Sequence, residues 1–265
     1  MTTFGQRVLV LSCVLVAALS GAASNSQPMR VADYWDATFA GLPRSLAVDD
    51  EITVLLNRGF MVGYSDARRN PLWVCYRVFY VEKGVLDTRP SRFSVDVRTK
   101  SSVSHDAYTH SGYDRGHMAP NYAIGACYGP VAQRQTFLMS NVCPQNPSLN
   151  RGLWAALEQR LAKEYTAAFE EVWVIVGPVF DEDRQLLPAG VEIPDAFFLI
   201  VADLLDGVPR FLGLVVPNLA PGGKAVEEFL SSVAEVERLT GLDFFWQLED
   251  ALEQELESAV PTALW

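Results

Sequence analysis

Histidine and cysteine are scarce in this chain of 265 residues: three histidines, at 105, 110 and 117, and four cysteines, at 13, 75, 127 and 143. None of their spacings is that of a zinc motif, which removes the zinc-finger and zinc-ribbon classes. No Gly-x-Ser-x-Gly elbow occurs, so the nucleophile of the α/β-hydrolases is missing. There is no internal repeat and no Gly/Ser linker, which excludes a solenoid or a string of tethered modules. Cations are also short: 21 Lys and Arg stand against 32 Asp and Glu, for a net charge of −11 and a pI near 4.7. Taken whole, that balance argues against an anionic partner.

What is present is an ordinary globular composition, 49% hydrophobic and 20% charged. The one long apolar run, Val8 to Leu19, follows Arg7 and precedes the small residues Gly21-Ala22-Ala23-Ser24. It is short for a span of about 20 residues and predicts a secretory signal peptide over residues 1–23. Secreted or periplasmic localisation follows, with no stable membrane partner after cleavage. Three cysteines would then remain, of which Cys127 and Cys143 could pair while Cys75 reads as a buried thiol.

The charge is unevenly distributed. From Arg58 to Lys163 there are fourteen Lys and Arg against seven Asp and Glu, a local +7, so the rest of the chain carries −18. A basic segment inside an acidic protein is a focused field, the footprint of a cleft for an anion.

Along the chain, residues 24–50 read as a polar lead-in with Tyr34, Trp35 and Phe39 as docking aromatics, and residues 51–265 as one α+β domain. Strand patterns in Ile52 to Tyr80 predict a β-meander. Lys83 to His110 predicts a long surface loop, of the kind that carries function. The stretch after Pro120 reads as irregular, and Thr136 to Asn141 as a short strand broken by Pro144 to Pro147. Leu149, Leu153, Trp154, Leu157 and Leu161 predict a helix from Ser148, its N-cap, to about Phe169. Further strands are expected at 171–177, 196–202 and 211–216. An amphipathic helix over 225–240 closed by Gly241 and an acidic helix over 248–258 complete the chain.

The chemistry concentrates in Asp114-Arg115-Gly116-His117-Met118-Ala119-Pro120. An acid, a cation and an imidazole separated by one glycine make a poor core strand but a plausible site: His117 as a base, Arg115 as an anion clamp, Asp114 as an orienting carboxylate, and room for substrate beside Gly116. Asn150 and Glu158 lie eight residues apart on the helix that follows, about 80° around its axis at roughly 100° per residue, so both can face one site. His105 and His110 read as surface residues.

These residues carry a family resemblance. The Asp114 to Pro120 motif, then Ser140-Asn141-Val142-Cys143-Pro144-Gln145, Leu149-Asn150-Arg151-Gly152-Leu153-Trp154 and Leu157-Glu158, together resemble the DNA/RNA non-specific endonucleases. The likeness extends from Gly59-Phe60 to Glu237-Arg238-Leu239-Thr240-Gly241-Leu242, roughly residues 52–246. It implies a ββα-metal (His-Me finger) fold with a central, mostly antiparallel sheet flanked by helices, and hydrolysis of DNA and RNA phosphodiesters to 5′-phosphate ends. His117 would be the general base, Asn150 the sole direct protein ligand of one Mg²⁺ (Mn²⁺ as a substitute), and Glu158 an acid holding the ion's water. Arg115 would neutralise charge on the phosphate, with Asn141 positioning metal or substrate and Asp114 orienting the loop. An upstream arginine of the family stabilises the transition state; Arg89 and Arg92 both qualify, and Arg92 is the one preferred. Family members often form homodimers. The alternative is a non-catalytic nucleic-acid-binding relative.

Overall fold

The computed structural model describes residues 37–46, 51–219 and 224–265. The signal-peptide segment and the aromatics Tyr34 and Trp35 lie outside the described residues. Chain order begins with a short strand β1 (Arg44–Ser45) and a meander of β2 (Ile52–Asn57), β3 (Phe60–Ser65) and β4 (Asn70–Phe79). The long loop follows, closed by β5 (Asp114–His117). Helix α1 (Asn121–Gln135), β6 (Val142–Gln145) and a long helix α2 (residues 147–169) come next. Then come β7 (Glu171–Val179), β8 (Ala196–Leu205), β9 (Val208–Pro217), β10 (Leu230–Ser231), α3 (Val233–Thr240), β11 (Leu242–Asp243) and α4 (Asp250–Ser258).

Seven strands make one antiparallel sheet in the order β10-β9-β8-β7-β4-β3-β2. Both of its faces are covered, and the sequence shows why. Phe60, Val62 and Tyr64 of β3, with Val74, Tyr76 and Val78 of β4, point to one core, while Met61, Trp73 and Cys75 between them point to the other. The first core also takes Ile124 of α1 and Trp154, Leu157 and Leu161 of α2; the second takes Val233 and Val236 of α3 with Phe244 and Phe245. Large aromatics such as Trp73 and Trp154 are almost wholly withdrawn from water, each contributing on the order of 4 kcal/mol of apolar burial. Phe39, from the expected lead-in, packs on Trp173, Phe211 and Phe245, and β1 pairs with β11.

Several local expectations are corrected. The stretch after Pro120 is the helix α1, disguised in sequence by Gly129-Pro130; Gly129 takes φ +83°, a kink that glycine tolerates without strain. Residues 139–141 form a 3₁₀ turn, and the strand starts only at Val142 with Pro144 inside it. Proline is accepted there because β6 has a single partner strand, β5. The α2 cap is Asn146, whose Oδ1 accepts from Ser148 N at 2.9 Å, with Pro147 at the first helical position. The expected helix over 225–240 begins as a 3₁₀ turn and the edge strand β10; the α-helix starts after Ser232, whose Oγ accepts from Glu235 N at 3.1 Å. Cys127 and Cys143 do not form a disulfide: all three described cysteines are free, and Cys127 Sγ lies against the Phe79 carbonyl at 3.4 Å.

Candidate active site

Two strands and a helix build the site apart from the main sheet. β5 and β6 pair antiparallel with Gly116 opposite Cys143 and His117 opposite Val142, and α2 follows directly. Gly116 is extended, and its smallness serves the hairpin. A Cβ there would come within 2.3 Å of Gln145 Oε1, so packing explains the glycine, and the expected opening for substrate beside it does not.

His117 stands at the end of β5 between two phenylalanine rings. Its ring centroid is 5.0 Å from that of Phe93 and 4.9 Å from that of Phe137, and its Nε2 is enclosed without a hydrogen-bond partner among the described residues. Burial, with help from the nearby Arg89 cation, lowers its pKa to about 3. The imidazole is therefore neutral across the neutral range and able to accept a proton. Phe93 is held there because the long loop is tied down at its neighbour: Ser94 N donates to Phe137 O and Met139 N donates to Ser94 O, both at 2.9 Å.

Asn150 opens a π-helical turn of α2, Asn150–Trp154, with Gly152 off helical geometry. Such turns widen the helix backbone and recur at functional sites. The Asn150 Nδ2 donates to Asp114 Oδ2 at 2.9 Å, which leaves Oδ1 as the free donor atom toward a cation. Asp114 also takes a two-pronged contact from Arg151, Nε to Oδ2 at 2.8 Å and Nη2 to Oδ1 at 2.7 Å. Despite partial burial, these donors hold the Asp114 carboxyl below its usual pKa. Asp114 thus orients the asparagine as well as its own strand. Two turns further on, Glu158 makes no hydrogen bond or ion pair among the described residues, and burial raises its pKa to about 8 against the lowering effect of Arg89.

His117, Asn150, Glu158, Asp114, Arg115, Arg151, Arg89, Phe93, Asn121 and Tyr122 all line one cleft of about 520 Å³. Of the two upstream arginines, the structure brings Arg89 to the cleft, its guanidinium 5.6 Å from the Phe137 ring. Arg92 stands outside, 63% exposed and paired with Asp106 at 2.9 Å. Arg115 reaches the cleft wall, but its guanidinium donates to His105 O at 2.7 and 3.0 Å and to Thr109 Oγ1 at 3.3 Å, anchoring the loop that precedes β5. Asn141 is fully buried and does not line this cleft. Its Oδ1 accepts from Ala119 N at 2.8 Å and its Nδ2 donates to Ala119 O and Thr136 O at 3.0 Å, clasping the chain that leaves His117. His105 accepts from Phe93 N through Nδ1 at 3.1 Å, a structural part in place of the expected surface one, whereas His110 is exposed.

Sequence reasoning missed Arg151, Phe93 and Phe137. Only the first had a signal, its adjacency to Asn150. The donor set suits a hydrated divalent cation. Among the described residues no group of three or more His, Cys, Asp or Glu could hold a metal ion; the cleft offers the Asn150 amide oxygen and the Glu158 carboxyl, on which the Arg89 cation acts. Mg²⁺, which keeps several waters, is served by such a sparse set.

A β-strand pair and helix that present histidine, asparagine and glutamate to one cleft define the ββα-metal class of nuclease fold. Within that class the chain belongs to the DNA/RNA non-specific endonuclease family, whose sequence model matches residues 44–251. It is similar to mitochondrial nuclease EXOG of Homo sapiens, 31% identical over 207 residues covering 71% of this chain and 55% of that protein. It is also similar to mitochondrial endonuclease G of Homo sapiens, 30% identical over 202 residues covering 70% of this chain and 67% of that protein. A nuclease of Nostoc sp. is 27% identical over 230 residues, covering 82% of this chain and 81% of that protein. The chain spans about 55% of the length of EXOG.

Proposed function

We propose that this protein is a Mg²⁺-dependent endonuclease that hydrolyses phosphodiester bonds of DNA and RNA with little regard for sugar or sequence. The observation that carries this reading is the meeting, in one cleft, of a neutral imidazole with an asparagine amide held by Asp114. His117 takes the proton of the attacking water. Arg89, close enough to depress the imidazole pKa, stabilises charge that develops on the phosphate. Asn150 would hold the cation through Oδ1, and Glu158, whose carboxyl is held protonated by burial up to about pH 8, would ionise beside the cation and hold its water shell. When bound, Mg²⁺ supplies Lewis-acid stabilisation of the phosphate and of the departing 3′ oxygen, which gives 5′-phosphate products. No base-reading element is needed, since phosphate and sugar contacts carry no sequence information. Export by residues 1–23, supported by the apolar run after Arg7, would deliver the enzyme to extracellular or periplasmic nucleic acid.

The test is digestion of plasmid and of RNA by wild type and His117→Ala, with and without EDTA. The reading requires cutting of both polymers by wild type, abolished by EDTA and reduced at least a hundredfold in the variant. Equal cutting by the variant would sink it.

A further inference from the structure

The catalytic cleft is the middle of three hollows that share walls. It shares Tyr122 with a smaller hollow of about 250 Å³, and it shares a different set, Asp114, Arg115 and Arg151, with a third of about 460 Å³. A polymer cut internally must leave the cleft in two directions, and the surface provides both.

The geometry points to the smaller hollow, walled by Tyr122 and Lys163, as a binding subsite for the nucleotide next to the scissile phosphate: the base stacks on Tyr122 and its phosphate meets Lys163. This rests on the nuclease reading above. Tyr122 is the second residue of α1, five positions after His117, and its ring is 47% exposed where the two hollows meet. Lys163 Nζ stands 5.7 Å from the centre of that ring, and the ammonium makes no ion pair among the described residues. Ala123, Ala126 and Ala162 line the hollow between them, leaving space against the ring, and Glu82 is the one carboxylate on the wall. An exposed aromatic face beside an unpaired cation, over small apolar residues, is the recurring means of holding a single-stranded nucleotide without reading its base. Glu82 repels phosphate and so favours the Lys163 side of the hollow.

The placement along α2 agrees. Lys163 lies five residues beyond Glu158 on the same continuous helix, about 7 Å along the axis. One helix therefore carries the amide for the cation, the cleft carboxyl and the flanking cation, in that order. Neither Tyr122 nor Lys163 belongs to the motif that carries the family resemblance.

The experiment compares wild type with Lys163→Ala, Tyr122→Ala and Tyr122→Phe. Binding of a 12-nucleotide single strand is followed in EDTA by fluorescence anisotropy at several salt concentrations. Hydrolysis of bis(p-nitrophenyl) phosphate with Mg²⁺ is measured in parallel, because that ester has no flanking nucleotide. Lys163→Ala should weaken oligonucleotide binding about 3- to 10-fold and lower the slope of log Kd against log salt by about 0.7, with ester hydrolysis within about twofold of wild type. Tyr122→Ala should weaken binding about tenfold, and Tyr122→Phe should restore it, since stacking needs the ring and not the hydroxyl. Unchanged affinity and salt slope in Lys163→Ala, with wild type hydrolysing the ester, would overturn the subsite and leave the nuclease reading standing. Failure of wild type to hydrolyse either ester or polymer would overturn the nuclease reading, and the subsite with it.

Discussion

Asp114 and Asn150, thirty-six residues apart on β5 and α2, are joined by a 2.9 Å hydrogen bond from the asparagine Nδ2 to the aspartate Oδ2. The bond decides which end of the amide faces the cleft, and Arg151 fixes the aspartate from its other side. Outer partners of this kind are worth about 10- to 100-fold in metal affinity. Asp114→Ala should therefore raise the Mg²⁺ concentration needed for half-maximal activity, and the Mn²⁺ dissociation constant measured by electron paramagnetic resonance, by about that factor. Mn²⁺ binding equal to wild type would show that the asparagine needs no such orientation.

Arg89 and Arg92 should part company on mutation. Arg89 lines the cleft and lowers the His117 pKa, whereas Arg92 is exposed and engaged with Asp106. Loss of a group that stabilises developing charge costs about 10²- to 10³-fold in kcat, and an exposed ion pair contributes about 0–1 kcal/mol to stability. Steady-state kinetics on plasmid should thus show a drop of that size for Arg89→Ala and less than about threefold for Arg92→Ala. The reverse order would transfer the role to Arg92.

Gly116→Ala should destabilise the protein by about 1–3 kcal/mol through overpacking, because the new methyl meets Gln145 Oε1 and Cβ within 3 Å. Chemical denaturation reads this directly. Adding Gln145→Ala to Gly116→Ala removes the Oε1 and Cδ contacts, leaves the one with Cβ, and should recover part of the loss, a non-additivity expected of residues in contact.

Stability should also fall as the medium turns alkaline, for a reason remote from the cleft. Glu257 of α4 is buried with Oε1 unpaired among the described residues, and burial together with Glu237, Glu253 and Asp243 raises its pKa to about 8. A carboxyl whose folded pKa exceeds the unfolded value of about 4.3 supports the fold fully below pH 4 and progressively loses that support up to about pH 8. Glu257→Gln should flatten the profile and stabilise the protein by about 2 kcal/mol at pH 9. Thermal melts of both proteins between pH 5 and 9 provide the check; parallel profiles would place the ionisation elsewhere.

The parts of the site that were legible in sequence are those whose function demands unusual neighbours. Asp114, Arg115 and His117 stood out because charge and imidazole in four residues make a poor core strand, and Asn150 and Glu158 because helical spacing puts them on related faces. The meander of β2 to β4 was legible from alternation alone. Arg89 and Arg92 could not be separated, since they lie in a loop with no period, and only the pairing of Ser94 with the 137–139 segment sets which one turns inward. Asn141 stood as a site residue only through the family resemblance; its hydrogen bonds to Ala119, twenty-two residues away, and to Thr136 show it clasping the backbone instead. Helix α1 was hidden by Gly129-Pro130, local breakers that do interrupt its geometry at Gly129 while helix continues on either side.

The rings of Phe93 and Phe137 reach His117 from different segments, one from the long loop and one from just beyond α1. Between them the imidazole has little room to turn about its outer torsion, so its aim is set before any nucleic acid arrives. The ring's rotational freedom is given up once, on folding, and does not have to be lost again in each turnover.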